Sequence, residues 1–279
     1  MDNVLYLVAT PIGNLSDISE RALNTLTQVD FIAAEDTRHT LKLLNHFNIK
    51  KPMVSYFEHN KKERGEYIIQ RIKDGESCAL VTDAGTPAIS DPGEDIVAQC
   101  AIEGIDVIPI PGPCAFVQAL IVSGLPTGRF SFEGFLSVNK PQRKKHLDEI
   151  KNMTHTLIFY EAPHKLVTTL KDIYDAFGNR RISLVKEITK IHETVIRTTL
   201  KDAQNLFNES SPKGEFALVV EGYTENQENK EEITDSYIIE YVKELIKKGT
   251  DKKTAIKQTA QELNIQKRYV YSLVTENLD

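Results

Sequence analysis

The chain has 279 residues, 41% of them hydrophobic and 27% charged. This is the balance of a globular protein with one large domain or two ordinary ones, and it excludes general disorder. A net charge of -6 argues against indiscriminate nucleic-acid binding but leaves room for a local basic surface.

The opening Met1-Asp2-Asn3 has no basic stretch ahead of an apolar one, so no secretory leader is expected. Short runs rich in Val, Ile and Leu then fall at 4–10, 31–35, 52–57, 78–83 and 107–111, and read as strands. Helical patterns at 19–28, 37–47, 64–74 and 94–103 lie between most of them. Buried strands spaced by helices predict a parallel sheet covered on both faces. Ser16 or Asp17 is placed to cap the first helix, and Gly75 and Gly104 follow the ends of later ones. The most apolar stretch, 104–126, is interrupted by Asp106, Pro109, Pro111 and Pro113, so no membrane span is expected.

Past Gly112 the pattern changes. Strands are predicted at 130–135, 156–161, 182–188, 194–200 and 216–220, two of them joined without a helix. That short connection implies antiparallel pairing and a mixed sheet. Residues 223–235 have the polar, acidic composition of a linker, and 236–248, 252–263 and 266–276 read as three helices of a small helix-turn-helix-like bundle. The expected division is an N-terminal α/β domain over 1–112, a second α/β domain over 113–223 and a helical extension over 236–279.

Three loops follow strand ends, where open α/β sheets bind ligands. They are Thr10-Pro11-Ile12-Gly13-Asn14-Leu15, the run from Thr82 to Gly93, and Pro111-Gly112-Pro113-Cys114-Ala115. Their Gly and Pro residues let a ligand approach the main chain. There is no Gly-x-Gly-x-x-Gly after the first strand and no Walker-type phosphate loop, so the pocket suits a flat heterocycle with a small polar tail.

Ionisable groups also stand at strand ends: Glu35-Asp36-Thr37-Arg38-His39, Glu161 to Lys165, and Lys186-Glu187 with Lys190 and His192-Glu193. Such groups are candidates for binding or proton transfer, or for ion pairs across an interdomain face. His39, His164 and His192 lack ligand spacing, and Cys78, Cys100 and Cys114 lie in separate apolar segments. Neither set makes a metal site or a disulfide framework, so no metal is expected and the thiols suit a cytoplasmic protein. The densest basic run, Lys140 to His146, is either a solvated helix start or a contact for phosphates beside the cleft.

Taken together, Val8 to Leu15, Ala34-Glu35-Asp36-Thr37-Arg38-His39-Thr40, Thr82 to Gly93, Pro111 to Ala115, Phe132 to Leu136 and Phe159 to His164 resemble the tetrapyrrole-methylase superfamily. Within it the chain is similar to the bacterial 16S ribosomal RNA cytidine 2'-O-methyltransferase family, from Val4 to about Gly222. The resemblance implies a two-domain tetrapyrrole-methylase-like fold, with a parallel-sheet N-terminal domain and a mixed-sheet second domain. It also implies S-adenosylmethionine between the domains, a homodimer, and 16S rRNA in the small ribosomal subunit as substrate. By position, the cofactor contacts implied are Pro11, Ile12, Gly13, Asp83, Gly85, Thr86, Ile89, Cys114, Ala115, Tyr160 and Phe216. Asp36 and Glu187 are the candidate bases, with Lys186 as an electrostatic or positioning partner. Lys165 and Lys186 stand where many relatives are expected to carry Arg, and Lys grips a phosphate less specifically. Tyr56, Phe57, Phe130 and Phe132 are possible base-stacking platforms. The rival readings are methylation of a tetrapyrrole or diphthamide precursor, and a non-catalytic S-adenosylmethionine-binding module.

Overall fold

The computed structural model describes residues 3–208, 212–224, 235–263 and 265–277. The expected linker therefore falls largely outside the described residues. The chain divides into two compact units, Met1–Tyr223 and Thr224–Asp279.

The first unit carries two five-stranded sheets. Strands β1 (Val4–Val8), β2 (Phe31–Ala34), β3 (Met53–Ser55), β4 (Cys78–Val81) and β5 (Asp106–Ile110) are all parallel, in the order β3-β2-β4-β1-β5. Alternate residues of the strands face opposite layers. Leu5, Phe31, Ala33 and Leu80 pack with Ile68 and Ile72 of α3 (Lys61–Lys73) and with Ile96 and Cys100 of α4 (Glu94–Glu103). Tyr6, Val8, Ile32 and Val81 pack with Ala22 and Leu26 of α1 (Glu20–Gln28) and with Leu44 of α2 (Thr37–His46). Both faces are covered, which is why the strands read as continuous apolar runs. Each buried aliphatic side chain contributes about 1.5–3 kcal/mol.

Ser19, not Ser16 or Asp17, caps α1, its hydroxyl accepting from the Ala22 amide at 3.1 Å. The polar residues before it belong to a separate 3-10 turn, Leu15–Asp17, capped by Asn14. Gly104 ends α4 in the left-handed region at φ 69°, as its position after the helix suggested.

The second sheet has the order β6-β7-β10-β8-β9, from β6 (Phe130–Phe135), β7 (Thr156–Glu161), β8 (Arg181–Lys186), β9 (Thr194–Thr199) and β10 (Phe216–Val220). Strands β6 and β7 are parallel and the remaining pairs antiparallel, so the sheet is mixed as expected. One face packs on α6 (Lys140–Ile150), α7 (Leu166–Phe177) and α8 (Leu200–Asn208). The other takes Ala119 and Leu120 of α5 (Ala115–Val122) against Ile158, Val185, Ala217 and Val219. Helix α5, next in the chain after β5, thus packs on the second sheet and carries the chain from one to the other.

The second unit is a three-helix bundle of α9 (Asp235–Lys247), α10 (Lys252–Glu262) and α11 (Lys267–Asn277). Ile238, Val242, Ala255, Ile256, Val270 and Val274 form its core. Among the described residues, no helix is long and apolar enough to cross a membrane.

Candidate active site between the two sheets

The strand order brings the C-terminal ends of β2, β4 and β1 side by side, so the loops after them share one edge. The β1 and β4 loops are joined directly: the Thr10 amide donates to the Gly85 carbonyl at 2.8 Å and the Gly85 amide to the Thr10 carbonyl at 3.0 Å. The third loop joins them through the Thr86 hydroxyl, which donates to the Pro113 carbonyl at 3.0 Å. Gly85 sits at φ 89°, and a Cβ there would stand 3.2 Å from Ile12 Cγ2. The glycine fits both the backbone angle and the close approach.

Between this edge and the second sheet lies a cleft of about 390 Å³. That is within the roughly 300–1,000 Å³ range of small-molecule sites. Ile12, Asp83, Gly85, Thr86 and Ile89 line it from the first sheet's loops. Cys114 and Ala115 line it at the start of α5, with Tyr160 and Phe216 from the second sheet. Pro11 and Gly13 flank Ile12 without lining the cleft, although a Cβ on Gly13 would collide with the Lys190 side chain. The far wall therefore reaches the first loop at that point. Tyr160 fixes the geometry from below: its hydroxyl accepts the Phe116 amide of α5 at 2.9 Å, and burial pushes the phenol far up from its usual range. Burial likewise raises the Cys114 thiol, as befits an apolar filler.

The three candidate catalytic residues separate. Glu187 lines the cleft, at φ 53°, and its carboxylate accepts from Lys190 Nζ and from the Glu215 amide, each at 3.0 Å. The Glu215 amide and then Lys190 hold it below the usual carboxylate range. Lys186, at the end of β8, is half-buried and does not line the cleft. Asp36 does not line it either. It caps α2, accepting from the Arg38 amide at 2.8 Å, and receives the Arg38 guanidinium at 3.0 and 2.7 Å. That pairing holds the carboxyl far below its ordinary range, which makes it a poor proton acceptor. Its own amide donates to Asp83 Oδ1 at 3.1 Å, so it braces the cleft wall.

Other expectations divide as well. In the basic run, Arg143 turns inward to Asp172 at 2.6 Å and His146 to Glu133 at 2.8 Å, leaving Lys140, Lys144 and Lys145 outside. Of the proposed stacking platforms, Tyr56 is only 1% exposed and so belongs to the core. Phe132 stacks on Phe116 with centroids 4.6 Å apart, whereas Phe57 and Phe130 keep exposed edges.

Glu35 and Lys190, ionisable candidates at strand ends, also line the cleft, and so do Asp91, Phe135 and Glu215, to which the sequence pattern assigns no role. Asp91 lies in the Gly- and Pro-rich loop that drew attention, but its depth depends on how that loop folds back. Burial, then the charge of Glu35, raises its carboxyl to about 6. Among the described residues, no cluster of His, Cys, Asp and Glu has the arrangement of a metal site.

Two parallel and mixed α/β sheets with a ligand-sized cleft between them are the architecture of a class of methyltransferases, and the chain belongs to the tetrapyrrole (corrin/porphyrin) methylase family, whose family model matches residues 4–204. Its similarity is more specific than that. It is 50% identical over 270 residues to the ribosomal RNA small subunit methyltransferase I of Halalkalibacterium halodurans, covering 96% of this chain and 93% of that one. It is 46% identical over 274 residues to the protein of the same name from Synechocystis, covering 98% of each. Among solved structures, the uroporphyrin-III C-methyltransferase of Thermus thermophilus complexed with S-adenosylhomocysteine shares the fold at a TM-score of 0.55 and 16% identity. That match covers 78% of this chain and 96% of the other.

Proposed function

We propose that the protein methylates the ribose 2'-hydroxyl of a cytidine in the decoding region of 16S ribosomal RNA, within the small ribosomal subunit. The methyl donor is S-adenosylmethionine. The observation that carries the reading is the acidic cleft itself, in a chain nearly half identical, end to end, to ribosomal RNA small subunit methyltransferases I. The residues present fit the donor. Ile12, Ile89 and Phe216 offer apolar walls to a flat adenine, and the glycine at position 85 leaves the main chain open to approach. The carboxylates of Glu35 and Asp83 suit hydroxyls and a cationic donor.

The donor supplies an already activated methyl group. What remains for the protein is to align the ribose oxygen, exclude water and remove a proton. Alignment alone is worth on the order of 7–11 kcal/mol. Loops tied at Thr10–Gly85 and Thr86–Pro113 hold one wall, and the Tyr160–Phe116 bond holds the other. Glu187 and Lys190 act as a positioning pair at the mouth, and Asp36 as a brace. Phe57 and Phe130 are the exposed rings available to a splayed base. In this reading the enzyme works as a cytoplasmic homodimer. The second unit supplies an RNA contact through Lys267 and Arg268 on α11, beside the exposed Tyr271.

The test is transfer of labelled methyl to small subunits from cells lacking this gene, with naked 16S RNA and a tetrapyrrole precursor in parallel. Label on subunit RNA supports the reading. Label on the tetrapyrrole alone, or donor binding with no transfer, sinks it.

A further inference from the structure

We propose that Asp91 is the general base that takes the proton from the hydroxyl being methylated, an assignment that rests on the methyl-transfer reading above.

The cleft holds several carboxylates, and most are already committed to donors. Glu35 accepts the Thr82 hydroxyl at 2.7 Å and the Asp83 amide at 3.4 Å. Asp83 accepts the Asp36 amide. Glu161 accepts the Ala162 amide at 2.8 Å and the Thr169 hydroxyl at 2.5 Å. Glu187 and Glu215 share Lys190, at 3.0 and 3.1 Å. Donors of this kind occupy carboxylate oxygens that a substrate hydroxyl would have to reach.

Asp91 differs in its surroundings. It is half-buried, and no ion pair among the described residues engages it. The charged and titratable groups acting on it are Glu35 at the end of β2, Asp83 after β4 and Tyr160 on β7, and the neighbouring Thr82 hydroxyl gives its proton to Glu35. Burial and the Glu35 charge bring its carboxyl to about 6. A proton acceptor works best when its affinity lies near the working pH.

The backbone supplies an independent argument. Ala88 and Ser90 both occupy the left-handed region, each at φ 64°, on the approach to Asp91. Non-glycine residues there carry strain of about 1–3 kcal/mol each, and such strain collects at functional positions. The loop then closes on itself at Gly93 (φ 153°), where a Cβ would stand 3.0 Å from the Ala88 amide nitrogen. The two left-handed residues fold the segment back so that Asp91 lines the cleft.

In the step itself, the ribose oxygen forms a bond to the methyl carbon while the carbon–sulfur bond breaks, its electron pair returning to sulfur. The hydroxyl proton passes to Asp91, and Asp91 releases it to water as the products leave. No further reactant is needed.

The experiment measures turnover on small subunits at saturating donor, across neutral and acidic pH, for wild type and for Asp91→Asn, Asp91→Glu, Glu35→Gln and Asp36→Asn. Donor affinity is measured calorimetrically on each. Wild-type turnover is expected to fall on the acid side near pH 6. Asp91→Asn should lose about 10²- to 10⁴-fold in turnover and abolish that acid limb while still binding donor. Asp91→Glu should restore part of the rate and of the limb. Glu35→Gln should move the limb to lower pH, because its charge helps raise Asp91. Asp91→Asn retaining near-wild-type turnover with its acid limb overturns the assignment, as does a limb that Glu35→Gln abolishes and Asp91→Asn leaves in place. Wild-type protein that transfers methyl to no RNA overturns the methyl-transfer reading itself, and the assignment with it.

Discussion

Thr10 and Gly85, 75 positions apart in sequence, exchange two backbone hydrogen bonds of 2.8 and 3.0 Å and so weld the β1 loop to the β4 loop. The cleft wall is therefore a short two-stranded bridge rather than two independent turns. Because Gly85 holds φ 89° and crowds Ile12, its substitution tests whether this bridge sets donor affinity. Gly85→Ala is expected to cost about 1–3 kcal/mol in backbone strain and to weaken donor binding, read by calorimetric titration with thermal melting as the stability control. Unchanged binding would detach the bridge from the site.

Tyr160→Phe removes the acceptor of the Phe116 amide without changing the shape of the ring. An amide left unsatisfied there costs about 1–3 kcal/mol. The expected result is a lower melting temperature, with weaker donor binding because Cys114 and Ala115 lie on the same turn. A variant indistinguishable from wild type in both measurements would show that solvent replaces the hydroxyl.

Glu187 gives a pH signature. Its carboxyl is lowered in the folded state from 4.5, first by the Glu215 amide and then by Lys190. A depressed carboxyl stabilises the fold above its unfolded value, and that stabilisation is lost as pH falls through the folded one. Wild-type melting temperature should therefore drop more steeply in acid than that of Glu187→Gln. Parallel curves would mean the pair contributes nothing beyond its surface position.

The second unit is testable apart from the first. Among the described residues no ion pair involves Lys267 or Arg268, and Tyr271, one turn on, is 59% exposed. In contrast Asp235, Asp251 and Glu262 are occupied by the Tyr269 hydroxyl, by the α10 amides and by the Tyr241 hydroxyl. Lys267→Glu with Arg268→Glu should weaken binding to small subunits and flatten its salt dependence, leaving donor affinity intact. Filter binding over a salt series reads both quantities.

Much of the fold was legible in the sequence because the strands are buried on both faces. A run such as Phe31–Ala34 or Cys78–Val81 is apolar at every position. The hairpin of β8 and β9 followed from a connection too short for a helix. Local spacing was less informative where polar residues compete. Ser16, Asp17 and Ser19 all suit a cap, and only the 3-10 turn separates them. No helix was read over 166–177, although Leu166, Leu170, Ile173 and Phe177 mark one buried face. In the site, the Gly- and Pro-containing loops marked their own positions. Asp36 looked like a base because an acid at a strand end is exposed to a ligand edge, but its neighbour Arg38 engages it. Asp91 gave no such signal, because its burial is produced by two left-handed residues that no sequence pattern announces.

The most direct test of the central claim is the chemical position of the methyl group. Small subunits from cells lacking the gene would be incubated with the protein and labelled S-adenosylmethionine, and their RNA digested to nucleosides for mass spectrometry. The label is expected in 2'-O-methylcytidine from a single site in the decoding region. Label on a nucleobase, on another ribose, or on no RNA at all would contradict it.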